Sequence, residues 1–196
     1  MEIANNGIGE DTEDENMKSS IFTFCAKITI AHFLTYFVLG LIFYATGTNI
    51  LAYYESHPLQ LATDLHKSTE STWVMAGPLF QIIRGILFGI VLLPFRSVLC
   101  EKRFGWLALW GLVLVFAVIA PAGEAPGSIE GVVYTRLPWL FHVLYLPEII
   151  IQTFAFSWLA IYWVNHKTKK LTIPLLVTFV LIVTMNLMGV IQALAK

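Results

Sequence analysis

Long apolar stretches separated by short polar connections dominate the chain. They cover residues 21–46, 74–99, 104–120, 137–164 and 172–195. A helix that crosses a bilayer needs about 20 largely apolar residues, and the stretch 104–120 only just reaches the usable length. The pattern therefore predicts an all-α integral membrane protein built as a bundle of five transmembrane helices.

The connection over residues 47–77 is too polar to cross the bilayer. Its apolar positions at Leu59, Leu61, Ala62 and Leu65 predict one short amphipathic helix that lies on the membrane surface between the first and second spans. Trp73 lies just before the second span, where tryptophan commonly anchors a helix at the membrane interface.

The first 18 residues differ in composition from everything that follows. They contain six acidic residues before the first base at Lys18. A secretory signal peptide begins with a basic region, so this segment is not one. We predict that residues 1–18 form a disordered acidic tail and that residues 19–196 form the transmembrane bundle.

Composition supports a membrane protein and narrows its chemistry. Of 196 residues 57% are hydrophobic and 13% are charged, whereas soluble domains carry about 25% charged residues. Neither a CxxC nor an HExxH motif occurs, so we predict no metal site. The short basic run at 167–170 suits lipid headgroups and gives no support for nucleic-acid binding.

The basic residues predict the orientation of the bundle. With the N-terminus in the cytoplasm, eight Lys and Arg residues fall inside and three fall outside; the inside set is Lys18, Lys27, Arg96, Lys102, Arg103, Lys167, Lys169 and Lys170. This asymmetry follows the positive-inside rule. We predict a cytoplasmic N-terminus, an external C-terminus and residence in the plasma membrane.

A polar stripe runs along the fourth predicted span. His142, Tyr145, Glu148 and Gln152 fall on one side of that helix at 100° per residue. A carboxylate in a membrane span is costly unless it is paired or faces an aqueous cavity. The stripe therefore predicts that this helix faces other helices or a polar pocket.

The second span carries the matching charge. Arg84 and Glu148 fall at similar depths, roughly the bilayer centre, so we predict that they pair. Gln81 lies one turn from Arg84. The predicted ligand-binding residues are Gln81, Arg84, His142, Tyr145, Glu148 and Gln152. Gly85 and Gly89 form a GxxxG pattern, which predicts close packing against a partner helix.

A Gly- and Pro-rich loop precedes the fourth span. It contains Glu124, Glu130 and Arg136, and the predicted orientation places it outside, over the mouth of the pocket. Its acids suit either helix capping and loop shaping or the binding of a cation.

Three functions fit this pattern. The first is a binding or transport protein with an outward-facing polar pocket for a small amphiphile, a lipid headgroup or an ion. The second is an enzyme that acts on a lipid or quinone-like substrate, with His142 and Glu148 as the catalytic acid and base. The third is a structural or regulatory subunit of a membrane complex. Nothing in the sequence specifies a substrate or a cofactor.

Overall fold

Helices account for all the regular structure in the part of the chain that the computed structural model describes, which is residues 7–47, 71–119, 125–166 and 168–195. The helices are α1 (Gly7–Ala45), α2 (Thr72–Met75), α3 (Gly77–Leu92), α4 (Arg96–Glu101), α5 (Gly105–Leu114), α6 (Ile129–Tyr134), α7 (Trp139–Asn165) and α8 (Lys169–Leu194). A 3₁₀ turn (Leu93–Phe95) links α3 to α4, and a π-helical turn (Val115–Ile119) extends α5.

Four helical segments are long and apolar enough to cross a membrane, as in an integral membrane protein. They are Ser19–Ala45, Gly77–Glu101, Trp139–Asn165 and Lys169–Leu194. The predicted all-α bundle is confirmed, and these four segments match the first, second, fourth and fifth predicted spans. The segment that corresponds to the third, Gly105–Ile119, is an apolar helix of shorter length, so a count of five spans stays a prediction.

Two other predictions concern the ends and connections of these helices. α1 begins at Gly7, so its helix extends through most of the segment 1–18 that composition predicts to be disordered. Acidic residues near a helix N-terminus complement the helix dipole, and this acid-rich sequence is compatible with a helix there. The amphipathic helix predicted between the first two spans falls largely on residues 48–70, which lie outside the described residues.

The closest helix packing joins α1 to α3 through the GxxxG pattern. A Cβ atom added at Gly85 would lie 2.8 Å from the Thr29 Cα, and one added at Gly89 would lie 2.9 Å from the Cys25 Cα. Both distances are too short for real Cβ contacts, so only glycine permits this approach. The partner helix of the two glycines is therefore α1 of the same chain.

The apolar core lies in the half of the bundle near the α4–α5 turn. Its buried side chains come from α1, α3, α4, α5 and α7, among them Phe24, Ile28, Leu92, Leu109 and Ala160. α8 contributes no buried residue. It packs its partly buried Leu171, Leu175 and Phe179 against a second cluster built on Phe33 and Trp163. α8 is therefore peripheral to the helices that enclose the core.

Polar contacts fasten the C-terminal end of α7 to its neighbours. The Lys27 ammonium is buried and donates to the Trp163 carbonyl at 2.7 Å. Carbonyls in the last turn of a helix lack intrahelical partners and favour a cation, so Lys27 of α1 caps α7. The Trp163 indole N–H donates to Thr172 at 3.0 Å, and the Asn165 amide donates to the Cys100 carbonyl at 3.0 Å.

The glycine contact yields a stability prediction. Gly85→Ala forces a methyl group against the α1 backbone, and overpacking of this kind costs about 1–3 kcal/mol. We expect a lower melting temperature in detergent. Gly40→Ala is the matched control, because Gly40 lies in α1 with nothing within 4 Å of its added Cβ. Equal melting temperatures for the two variants would contradict this packing.

Candidate functional site

A cavity of about 330 Å³, here called the Arg84 cavity, lies between α1, α3, the α5 segment and α7. This volume falls in the lower part of the range for small-molecule sites, about 300–1,000 Å³. Its walls combine hydrogen-bonding groups with apolar ones. The lining residues are His32, Tyr36, Arg84, Phe88, Val113, Ala117, Tyr145, Ile149, Gln152, Thr153 and Phe156.

Half of the predicted ligand-binding set lines this cavity. Arg84, Tyr145 and Gln152 contribute directly to its walls. Gln81 is buried beside it, and its Oε1 accepts a hydrogen bond from His32 Nε2 at 3.3 Å. Gln81 therefore lies outside the cavity lining and orients His32, which is part of that lining.

Glu148 is buried next to the cavity and does not line it. Its side chain is 6% exposed, whereas that of Arg84 is exposed. The Tyr36 hydroxyl lies within electrostatic range of both the Arg84 guanidinium and the Glu148 carboxyl group. Both side chains therefore lie near one point of the cavity wall. Their direct pairing stays a prediction.

Three aromatic rings pack together at one end of the cavity. The His32 ring meets Phe88 edge-on at a centroid distance of 4.9 Å and Phe156 at 5.4 Å. Phe88 and Phe156 stack at 5.7 Å. Such contacts stabilise one another beyond simple area burial, so this end of the cavity has a rigid, apolar wall.

His142 lies in a different place from the other predicted residues. Its side chain is 3% exposed, and its Nδ1 accepts a hydrogen bond from the Gly127 backbone N–H at 3.1 Å. Its Nε2 is 3.5 Å from the Thr135 hydroxyl oxygen. Because Nδ1 accepts, the ring proton is assigned to Nε2. Both ring nitrogens thus face the loop that precedes α7, and His142 holds that loop.

The loop folds back onto the helix that carries the polar stripe. Gly127 has a φ of 81°, which favours glycine, and its Cα faces Ile149 and Tyr145, where an added Cβ would lie 3.0 and 3.3 Å from their side-chain atoms. Ser128 caps α6 by accepting from the Gly131 N–H at 2.9 Å. The loop therefore rests on two residues that also line the Arg84 cavity.

The three charged residues predicted in this loop have different positions. Glu130 lies in the first turn of α6, where its Oε2 is buried and has no hydrogen-bond partner among the described residues. Arg136 is exposed, and Glu124 falls outside the described residues. Within residues 7–47, 71–119, 125–166 and 168–195, no group of three or more His, Cys, Asp or Glu side chains is arranged to hold a metal ion.

A second cavity, of about 350 Å³, lies beneath the loop. Its lining is almost entirely apolar, with His142 and Ser128 as the polar exceptions. The other lining residues are Val118, Gly127, Ile129, Val132, Trp139, Val143 and Leu146. His142 thus borders this cavity, on the loop side of α7, and is absent from the lining of the Arg84 cavity.

Eight of the eleven lining residues fall outside the predicted ligand-binding set, among them His32, Tyr36, Phe88 and Thr153. His32 and Tyr36 are four residues apart, so they share one face of α1. Two polar rings at this spacing in an otherwise apolar span are the sequence signal that could have identified His32 and Tyr36. Phe88 and Thr153 carry no such signal, because these residue types are common in membrane helices.

Comparison of this chain with protein-family models, with curated proteins and with solved structures found no match. The cavity and its lining residues are therefore the basis for inferring function.

The contacts of His142 predict a role in holding the loop. His142→Ala removes two hydrogen-bonding positions, each worth about 1 kcal/mol, so the loop should open more often. We expect trypsin to cleave after the exposed Arg136 about tenfold faster than in the unmodified protein. The control is Leu144→Ala, which removes an exposed side chain on the same helix. Equal cleavage rates for the two variants would show that His142 does not hold the loop.

Proposed function

We propose that this chain is a membrane-embedded binding or transport protein and that the Arg84 cavity holds a small amphiphile. The supporting observation is the two-part lining of a cavity of about 330 Å³. Arg84, Tyr36 and Tyr145 offer polar groups, while Phe88 and Phe156 offer an apolar surface. A molecule with one polar and one apolar end satisfies both parts of the wall, as ligand pockets generally require.

The proposal also includes five spans, a cytoplasmic N-terminus and location in the plasma membrane. In this arrangement Gly105–Ile119 crosses the bilayer together with the four longer segments, and its small length requires local thinning of the bilayer or flanking residues that reach the interface. The positive-inside bias of the sequence supports this orientation.

An outward opening of the cavity follows from the same orientation. Arg84 lies seven residues into α3, or ~10 Å from its start, and Tyr145 lies six residues into α7, or ~9 Å. Both helices begin at the end of the bundle where the Gly127 loop lies. The buried apolar core occupies the opposite half. A ligand therefore enters from the outer side and meets a closed inner side.

The alternative functions receive less support from the geometry. An acid–base pair of His142 and Glu148 has to act on one substrate, yet both ring nitrogens of His142 face the loop and Glu148 is buried beside a different cavity. A subunit role needs a specific partner surface. The exposed apolar face of α8 is equally suited to lipid, so it does not favour that role.

Filling the cavity tests the proposal. Ala117 lines the Arg84 cavity, so Ala117→Phe should abolish the binding of octyl-chain probes to protein held in phosphatidylcholine nanodiscs. The probes are octanesulfonate, 1-octanol and octyltrimethylammonium, measured by titration calorimetry against empty nanodiscs. The matched control is Ala108→Phe, which adds the same ring at an exposed position of α5. If no probe binds to the unmodified protein, or if Ala117→Phe binds as well as Ala108→Phe, the cavity is not an amphiphile site.

The orientation is tested by cysteine labelling in intact cells. After Cys25 and Cys100 are replaced by alanine, a membrane-impermeant maleimide should label Arg136→Cys and should leave Lys102→Cys and Lys169→Cys unlabelled. All three positions are exposed, so access depends on the side of the membrane. Permeabilised cells should label all three. Labelling of the lysine positions alone in intact cells would reverse the orientation.

A further inference from the structure

A third cavity, of about 600 Å³ and here called the Arg96 cavity, lies at the end of the bundle opposite the Gly127 loop. Its lining comes from the last turns of two membrane-length segments, Gly77–Glu101 and Trp139–Asn165. The cavity therefore lies where those segments leave the apolar layer, which is the depth of lipid headgroups. The lining residues are Leu93, Pro94, Arg96, Ser97, Cys100, Glu101, Val164 and Asn165.

Two polar contacts join α1, α4 and α7 around this cavity. The Arg96 guanidinium donates to the Ser20 hydroxyl of α1 at 2.9 Å and lies over the Phe24 ring, 5.5 Å from its centroid. The Asn165 side-chain amide of α7 donates to the Cys100 carbonyl of α4 at 3.0 Å. Ser20 is the second residue of the membrane-length segment of α1, so the guanidinium is held at the same headgroup depth.

The lining presents hydrogen-bond donors and acceptors about one helical turn apart. A guanidinium has five N–H donors, and Ser20 takes one of those on Arg96. Ser97 adds a hydroxyl beside it. Glu101, four residues or ~6 Å of helix after Ser97, brings an exposed carboxylate, and Asn165 brings a side-chain carbonyl oxygen. The lining therefore suits a ligand that carries a negative hydrogen-bond acceptor close to a positive donor.

The apolar part of the lining lies on the hydrocarbon side. Leu93 and Pro94 precede Glu101 by as much as ~12 Å of helix, toward the interior of the bilayer. The cavity is thus apolar toward the bilayer interior and charged toward water, which is the order of polarity in a phospholipid. A soluble ligand would leave the apolar part of the wall against water, at a cost in free energy.

The surface around the cavity carries both signs of charge. Lys102 and Arg103 follow α4, Lys169 and Lys170 begin α8, and all four side chains are exposed. Acidic residues at positions 10–15 lie in the first turns of α1, beyond its membrane-length segment at the same end. A basic surface attracts anionic lipids of every kind. Selection among headgroups must therefore come from the cavity lining.

We propose that the Arg96 cavity binds the headgroup of an aminophospholipid, for which phosphatidylethanolamine is the probe. The lipid phosphate accepts charge-assisted hydrogen bonds from Arg96, and the primary ammonium donates to Glu101 and to the carbonyl oxygen of Asn165. Two methylene groups separate the phosphate from the ammonium, which suits the one-turn spacing of the lining. This site is separate from the Arg84 cavity and goes beyond the proposed function.

Native mass spectrometry with three lipids of identical acyl chains tests the proposal on protein in dodecylmaltoside. Phosphatidylcholine has the same charges but no N–H donor, and phosphatidylglycerol has the phosphate but no ammonium. Phosphatidylethanolamine should bind about threefold more tightly than either, the size expected for one exposed ion pair. Glu101→Gln should remove this preference. The matched control is Lys102→Gln, which removes an exposed charge outside the lining and should keep it.

Two bulky substitutions locate the site without changing any charge. Ser97→Trp fills the cavity and should abolish the preference for phosphatidylethanolamine. Val98→Trp adds the same ring at an exposed position outside the lining and should preserve it. Ala117→Phe, which fills the Arg84 cavity, should also preserve it, so this test does not depend on the amphiphile site.

Several results would overturn the proposal. If phosphatidylethanolamine binds no more tightly than phosphatidylcholine, or if phosphatidylglycerol binds most tightly, the cavity does not select a primary ammonium. If Glu101→Gln or Ser97→Trp keeps the preference, or if Ala117→Phe abolishes it, the lipid binds elsewhere. Glycerophosphoethanolamine at the same concentration should not displace the lipid. Its displacement of the lipid would show that the cavity takes a soluble headgroup ester instead.

Discussion

The cost of placing ionisable side chains inside an apolar helix bundle governs this structure. Glu148 is buried in the middle of α7, and Arg84 lies across the cavity on α3. Neither residue is tolerable in hydrocarbon by itself, because both require neutralisation or access to water. Arg84 lines the cavity between α1, α3, α5 and α7, and Glu148 lies beside it. Polar residues of three helices line the same cavity.

Close helix packing makes that convergence possible. Gly85 and Gly89 let α3 approach the backbone of α1, which brings the His32 and Tyr36 face of α1 to the same wall as Arg84. Lys27 then ties α1 to the C-terminal end of α7 through the Trp163 carbonyl. The site is thus held by the Gly85 contact beside it and by the Lys27 contact in the other half of the bundle.

Hydropathy and residue spacing predicted the large features well. The length of the apolar stretches alone identified the four long helices. In lipid, a chain segment must satisfy its own backbone hydrogen bonds, and few structures other than a helix do so. Helical periodicity brought Tyr145 and Gln152 to one face, and depth matching brought Arg84 to the same cavity. These predictions depend on one helix, or on two helices at one depth, so no knowledge of the tertiary arrangement was needed.

The remaining features depend on contacts that no periodicity encodes. His142 shares the stripe with Glu148, yet its partners are the Gly127 N–H and Thr135 in a loop whose fold is set by glycine geometry. Lys27 was predicted to lie on the cytoplasmic side, and that prediction is untested; the sequence did not indicate that Lys27 is buried and caps a neighbouring helix. The loop that folds onto α7 decides the first outcome, and the packing of α1 against α7 decides the second. Hydropathy identifies neither contact.

A double-mutant cycle on Arg84 and Glu148 tests most directly whether the two charges depend on each other across the cavity. Thermal unfolding in detergent would be measured for Arg84→Ala, Glu148→Ala and the double variant. If the two side chains pair, each single change removes one member of the pair and the double change removes both. The predicted result is a double variant more stable than the sum of the single losses implies, with a coupling energy of about 1–3 kcal/mol. Additive losses would contradict this account.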